Sequence, residues 1–453
     1  MSVQQLKKDP YIISAATRKD APTTFSGKLK FLGPGFILSA SIVGSGELIA
    51  TTVLGAKAGF AALWIIIVSC LVKVAVQLEF GKHTILTGET VMQAFNKLPG
   101  PRFGKGNWTI WIIFVFVLLK IVQLGGMLGG TVIILNKLFD DIPIAILTFA
   151  VGFFVSGLIY RGNYSIVEKG SLVMIGVFTI LTMTSLYFVQ YTPFAFSFGD
   201  VLQGFQLRFS SEVIAVAIGA FGITGVASDE IIAYNYWCLE KGYASYTGPR
   251  EDTEQWRTHA RGWIQTMHVD AIFAMIIYTT VTVAFYLLGS SILHSRGEIP
   301  QGTEVIDTLA LIYTQSLGEG VRNIYLVGAF FVLFSSVYAS LAFWTRLFPD
   351  IFGQLGWINF FDISKRKKVI AILAWIFPLL WACAFLFIKL PVLMVLSGGV
   401  VGSCLLFIVV YAAYHFKYSR VQLIQSSAVY NVAFWISVVS ILLVGVYGVV
   451  SLF

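Results

Sequence analysis

Apolar residues fill this chain in long blocks, and polar residues gather at the ends of the blocks. Eleven blocks can be drawn, near residues 31–56, 60–81, 108–136, 143–160, 166–189, 212–239, 262–291, 323–345, 369–388, 391–414 and 431–452. Most have the roughly 20 residues that carry an α-helix across about 30 Å of hydrocarbon. The ten-residue alternation of a membrane β-strand is not seen. The pattern predicts an all-α integral membrane protein. Two blocks are interrupted. The first, within the stretch from Gly33 to Gly59, breaks at Gly44-Ser45-Gly46, places Glu47 after the break and then resumes. The sixth is interrupted near 222–228 and resumes with Asp229 and Glu230. A broken membrane helix leaves backbone N–H and C=O groups unpaired, which lipid does not tolerate unless they line a cavity or a bound solute. Breaks five spans apart predict two inverted five-helix repeats, 31–189 and 212–414, with a midplane site between them and 431–452 as an added span. A glycine in a membrane helix also serves close packing, so the pairing of the breaks points to a site more than either break alone.

Composition agrees. With 57% hydrophobic and 12% charged residues, the chain cannot clothe a water-soluble globule of this size. A net charge of +8 would suit nucleic acid or an anionic solute, but basic loops on one side of a membrane explain it first. Of the 31 lysines and arginines, 23 fall on the side of the N-terminus, six on the other, and Lys73 and Lys120 inside spans. That asymmetry places the N-terminus in the cytoplasm and, with an odd number of spans, the C-terminus outside, in the plasma membrane. The expected surroundings are the lipid bilayer, with no nucleic-acid partner; nothing in the pattern reports oligomeric state. Residues 1–30 lack an apolar signal core and are expected to be a cytoplasmic tail. Cys70, Cys238, Cys383 and Cys404 have no metal-ligand spacing and are expected to pack. No nucleotide loop, nucleophile elbow or zinc spacing occurs, so neither an enzyme nor a cofactor is expected.

An ionisable residue at bilayer depth costs roughly 2.5–3.5 kcal/mol on insertion scales, so it usually has a partner or a function. Lys120 lies mid-span and either snorkels to an interface or faces the site, where it would attract an anion or neutralise Glu47. Gln123, one turn on, shares its face. Glu47, Asp229 and Glu230 each complement the positive end of a half-helix, and that alone accounts for a carboxylate there. If they shared a cavity, their oxygens would suit a hard cation. Lys73 and Glu79 are expected to pair or to snorkel. His268 and Asp270 are candidates for a vestibule or proton relay.

These residues resemble a family, the Nramp divalent-metal transporters. The match rests on Gly33-Pro34-Gly35-Phe36, on Gly55-Ala56-Lys57-Ala58-Gly59-Phe60 with Leu63-Trp64, on Gln77 with Lys82, and on Thr87-Gly88. The resemblance implies a LeuT-like inverted-repeat fold and a substrate site at the two breaks. The family's span 1 motif, Asp-Pro-Gly-Asn, here reads Gly44-Ser45-Gly46-Glu47. Its span 6 motif, Met-Pro-His-Asn, aligns with Asp229, Glu230, Ile231 and Ile232 when anchored on Gly225 and Tyr234. Its span 3 acidic pair here reads Lys120 and Gln123. The scaffold is thus expected to be kept and its chemistry changed, as in a metal-inactive Nramp-related branch linked to bicarbonate.

The leading expectation is a small inorganic anion, bicarbonate before others, bound by Gly44, Ser45, Gly46, Glu47, Lys120, Gln123, Thr224, Gly225, Ala227 and Asp229, with Glu230, His268 and Asp270 as coupling candidates. Two half-helix N-termini and a glycine nest would supply N–H groups. The alternative is a divalent cation, Mg²⁺ or Mn²⁺, held by Glu47 and Asp229. A non-transporting sensor or scaffold is a third possibility.

Overall fold

The computed structural model describes residues 9–44, 46–139, 141–205, 211–300, 305–317, 322–418, 424 and 426–450. Span 1 is two pieces, Pro34–Ile42 and Thr52–Ala58, joined through a widened helical turn at Gly46–Thr51. Span 2 comprises Leu63–Val72 and Val74–Thr87, and span 3 Trp108–Leu119 and Ile121–Leu138. Spans 4 and 5 are Ile144–Ile159 and Tyr164–Phe188. Span 6 is again two pieces, Ser211–Ile223 and Ser228–Lys241. Spans 7 to 11 are Glu254–Leu288, Arg322–Gln354, Ile363–Ile388, Pro391–Tyr418 and Ala428–Val450. Among the described residues nine continuous helical stretches are long and apolar enough to cross a membrane; Ile144–Ile159 is a shorter apolar helix.

The expected breaks in spans 1 and 6 are therefore present. Two further interruptions fall on lysines, Lys73 in span 2 and Lys120 in span 3. Both residues keep right-handed helical angles, so the axis is disturbed without being broken open. The glycines of span 3 let neighbouring helices approach closely: a Cβ at Gly129 would lie 2.1 Å from the Phe385 ring of span 9. Behind that contact, Trp344 of span 8 meets Phe377 of span 9 edge to face at 4.9 Å.

Several expectations need correction. Span 8, expected to end at 345, continues to Gln354 because Arg346 and Asp350 find internal partners and need not leave the helix bundle. Span 7 starts eight residues before the expected 262, at Glu254, where the Thr253 hydroxyl caps it by accepting from Trp256 N at 3.2 Å. The loop between spans 2 and 3 of this all-α structure carries a two-stranded hairpin, Arg102–Phe103 with Gly106–Asn107. Within the expected N-terminal tail, residues 9–30 pack onto the bundle. Asp9 meets Arg366 at 2.7 Å, Tyr11 donates to Glu240 at 2.5 Å, and Lys19 N donates to Tyr246 O at 3.0 Å. This segment seals one end of the bundle, the N-terminal face.

Candidate functional site

The two broken spans cross at the centre of the bundle. Glycine permits the break in span 6: Gly225 has φ +63°, and a Cβ there would lie 2.8 Å from Cys70 Cα. Gly44 in span 1 serves close approach to span 8, since a Cβ would stand 1.7 Å from Ser336 Oγ and 2.8 Å from Val332 O. Ser45 lies outside the described residues. Gly46 opens the widened turn, and Gly44 O accepts from Leu48 N at 3.0 Å.

Four half-helix ends are exposed by the breaks, and each is answered from within the protein. The first half of span 1 presents carbonyls, of which Ala40 O and Ser41 O accept from Ser335 Oγ and Ser336 Oγ, both at 2.8 Å. At the start of the second half sits Glu47, fully buried. Its Oε1 accepts from Gly225 N at 3.0 Å and its Oε2 from Thr51 Oγ1 at 2.7 Å, so this carboxylate ties one break to the other. The first half of span 6 ends with Phe221 O and Thr224 O, which accept from Lys73 Nζ at 2.7 and 2.5 Å and from Ser69 Oγ at 3.1 and 3.0 Å. Its second half starts from Ala227 in extended conformation and carries Asp229 and Glu230 in the first turn. Asp229 Oδ1 lies 2.8 Å from Lys120 Nζ, and Glu230 Oε1 accepts from Ser41 Oγ at 2.9 Å. Charge is thus complementary to the helix dipoles at every end: carboxylates at the two N-termini, an ammonium and hydroxyls at the two C-termini.

Glu47, Lys120, Thr224, Gly225, Ala227, Asp229 and Glu230 therefore lie at the breaks. Their pairing differs. Lys120 neutralises Asp229 and not Glu47. Lys73 neither snorkels nor meets Glu79; it turns inward to span 6, while Glu79 pairs with Lys417 at 3.2 Å. Gln123 packs against Gly398 of span 10, and its Oε1 is shut off from solvent without a hydrogen-bond partner among the described residues. His268 and Asp270, two apart on one helix, point in different directions and meet different partners. Asp270 caps span 1, accepting from Gly33 N at 2.8 Å, Gly35 N at 2.7 Å and Tyr234 OH at 3.1 Å. His268 stacks on Tyr430, ring centroids 6.1 Å apart. The site residues missed in the sequence are Ser41, Thr51, Ser69, Ser335 and Ser336. Single serines and threonines in apolar runs give little signal, although Ser69 and Lys73 at i, i+4 share a face.

Glu230 Oε2 is closed off from solvent and has no hydrogen-bond partner among the described residues. No group of three or more His, Cys, Asp or Glu side chains is gathered closely enough to hold a metal ion among those residues. Enclosed charge pairs also join helices on the N-terminal side of the site. Arg346 clasps Glu240 with Nε and Nη2 at 2.9 and 3.0 Å and also donates to Gly162 O, and Lys241 meets Glu168 at 2.6 Å.

Two broken helices meeting at a polar centre inside a helical bundle define the LeuT-like fold of membrane transporters. A family model described as "Natural resistance-associated macrophage protein-like" matches residues 35–451, and the chain belongs to that family, Nramp. It is similar to an uncharacterized protein of Pasteurella multocida, 24% identical over 345 residues, 72% of this chain and 71% of that one. It is also similar to the divalent metal cation transporter MntH of Brucella suis, 21% identical over 350 residues, 76% of this chain and 70% of that one. Among solved structures, a mutant of the Eremococcus coleocola manganese transporter superposes with TM-score 0.70 at 16% identity, covering 96% of this chain and 90% of that one. The nucleobase-cation-symport-1 transporter MHP1 follows with TM-score 0.60 at 11% identity, covering 95% and 94%. The protein is a multi-pass integral membrane transporter and not an enzyme.

Proposed function

We propose that this chain carries a hard divalent cation, Mg²⁺ or Mn²⁺, by alternating access. The observation that carries this is Glu230 Oε2, an unpartnered carboxylate oxygen among the described residues, beside Asp229 at the break in span 6. Three carboxylates, Glu47, Asp229 and Glu230, stand against two ammonium groups, Lys73 and Lys120, and both ammonium groups are already bonded to oxygen. The balance left for a substrate is negative. Oxygen donors without a thioether or imidazole suit a hard cation that keeps part of its water shell. In this mechanism Asp229 and Glu230 receive the ion, Lys120 competes with it for Asp229, and Glu47 holds the two breaks together. The relatives named as divalent metal cation transporters support the same substrate class.

The anion reading rests on the two lysines at the breaks. Against it, neither lysine offers an ammonium free of oxygen partners, and both half-helix N-termini already carry carboxylates. We further propose the plasma membrane as location, with the N-terminus cytoplasmic as the distribution of basic residues supports, and spans 1–5 and 6–10 as the two inverted repeats. Calorimetry on the purified protein tests the substrate. Mn²⁺ or Mg²⁺ should bind saturably, and Asp229→Asn and Glu230→Gln should each weaken binding by about tenfold or more. Saturable bicarbonate binding with no divalent-cation binding would overturn the proposal.

A further inference from the structure

Lys73 enters the charge balance above but does not meet the substrate there, and it is the most completely enclosed cation near the site. It stands midway along span 2, between Leu63–Val72 and Val74–Thr87, with no solvent exposure. A lysine at that depth has two ordinary fates: snorkelling to an interface or pairing with a carboxylate. It does neither directly. Its Nζ donates to Phe221 O and Thr224 O, the carbonyls freed where span 6 breaks, and sits 4.8 Å from the Phe221 ring centroid. Ser69 Oγ reaches the same two carbonyls, and Glu47 acts on the ammonium electrostatically.

Unwound carbonyls at the C-terminal end of a half-helix, with a hydroxyl and a nearby carboxylate, are the surroundings in which a broken membrane helix holds a small monovalent cation. Here a side chain delivers that charge. We propose that the Lys73 ammonium is a tethered occupant of a monovalent-cation site at the break in span 6. The chain thereby carries this charge covalently through every conformation and takes up no free Na⁺, K⁺ or ammonium ion at that place. A lysine that served only to cap a helix end would give the same contacts. The two differ in what its removal leaves: a bare cap leaves a defect, whereas a tethered occupant leaves a site that a free ion can fill.

The test is the melting temperature of the purified full chain in detergent. It compares wild type, Lys73→Ala and Lys73→Met in NaCl, KCl or ammonium chloride against choline chloride at equal ionic strength. Lys73→Ala should melt well below wild type in choline and recover saturably with at least one of the small cations, as a ligand that binds only the folded state requires. Lys73→Met, whose side chain fills the space, should be destabilised without recovery. Wild type should show no such dependence. Should Lys73→Ala be extractable in folded form only in the presence of one of these cations, that also supports the proposal. Recovery in none of the salts overturns it, as does a saturable response of wild type. These readouts do not use transport, so their failure and that of the divalent-cation proposal are distinguishable.

Discussion

Lys120 Nζ and Asp229 Oδ1 stand 2.8 Å apart, joining the interruption of span 3 to the first turn after the break in span 6. The lysine is almost wholly enclosed, whereas Asp229 keeps 14% of its side chain exposed. The carboxylate is therefore the member of the pair that a solute can reach. Removing its competitor should favour cations: Lys120→Gln is expected to lower the concentration of Mn²⁺ giving half-maximal uptake, by roughly tenfold for about 1.4 kcal/mol of lost competition. Asp229→Asn should raise it. Concentration-dependent uptake by both variants checks the sign.

The Arg346–Glu240 pair predicts a stability effect. The two side chains are 1% and 7% exposed, so truncating one leaves a buried charge unpaired. Arg346→Ala should cost about 3–5 kcal/mol, and Arg346→Met with Glu240→Gln should recover part of it. The exposed pairs that Asp307 makes with Lys137 and Arg322 should each contribute roughly 1 kcal/mol or less. Denaturation in detergent compares them.

Asp270 separates a cap from a relay. Its carboxylate accepts from two backbone N–H groups at the start of span 1 and from Tyr234 OH. Asp270→Asn keeps the shape and loses charge-assisted bonds, each about 1.5–3 kcal/mol. The expected result is a less stable transporter whose pH–rate profile keeps its midpoint. A displaced midpoint would return Asp270 to the proton path.

Glu89, in the loop after span 2, gives a pH prediction. Burial pushes its carboxyl up, but the hydrogen bonds and charges of His83, 3.4 Å away, and of Lys97 outweigh burial and hold it below the usual range. A depressed carboxylate stabilises the fold above its unfolded value, near 4.5, and that stability is lost as pH falls through the folded value. Wild type should therefore lose stability on acidification below about pH 4.5 more steeply than Glu89→Gln. Melting temperatures from pH 6 down to about pH 3 would show it.

The breaks were legible in the sequence because glycine marks them. Gly44-Ser45-Gly46 and Gly225 fall at the two breaks, within the interruptions expected from the sequence, and Asp229 and Glu230 announce the new N-terminus. The partners were not legible. Lys73 meets carbonyls 148 and 151 residues away, and a carbonyl carries no side-chain signature. Lys417 and Glu79, 338 residues apart, are brought together only by the packing of span 10 against span 2. Lys120 looked like a cation awaiting an anion because its position showed while its partner did not. The lengthening of span 8 has the same origin, since Arg346 reads as a helix end until Glu240 is placed beside it.

The most direct measurement of the central claim is uptake by the purified protein in liposomes, with Mn²⁺- and Mg²⁺-sensitive dyes inside one set and a pH-sensitive bicarbonate assay in another. The divalent-cation account predicts that Mn²⁺ or Mg²⁺ enters, that Lys120→Ala still transports, and that Asp229→Asn does not. Bicarbonate movement without metal uptake, abolished in Lys120→Ala, would contradict it.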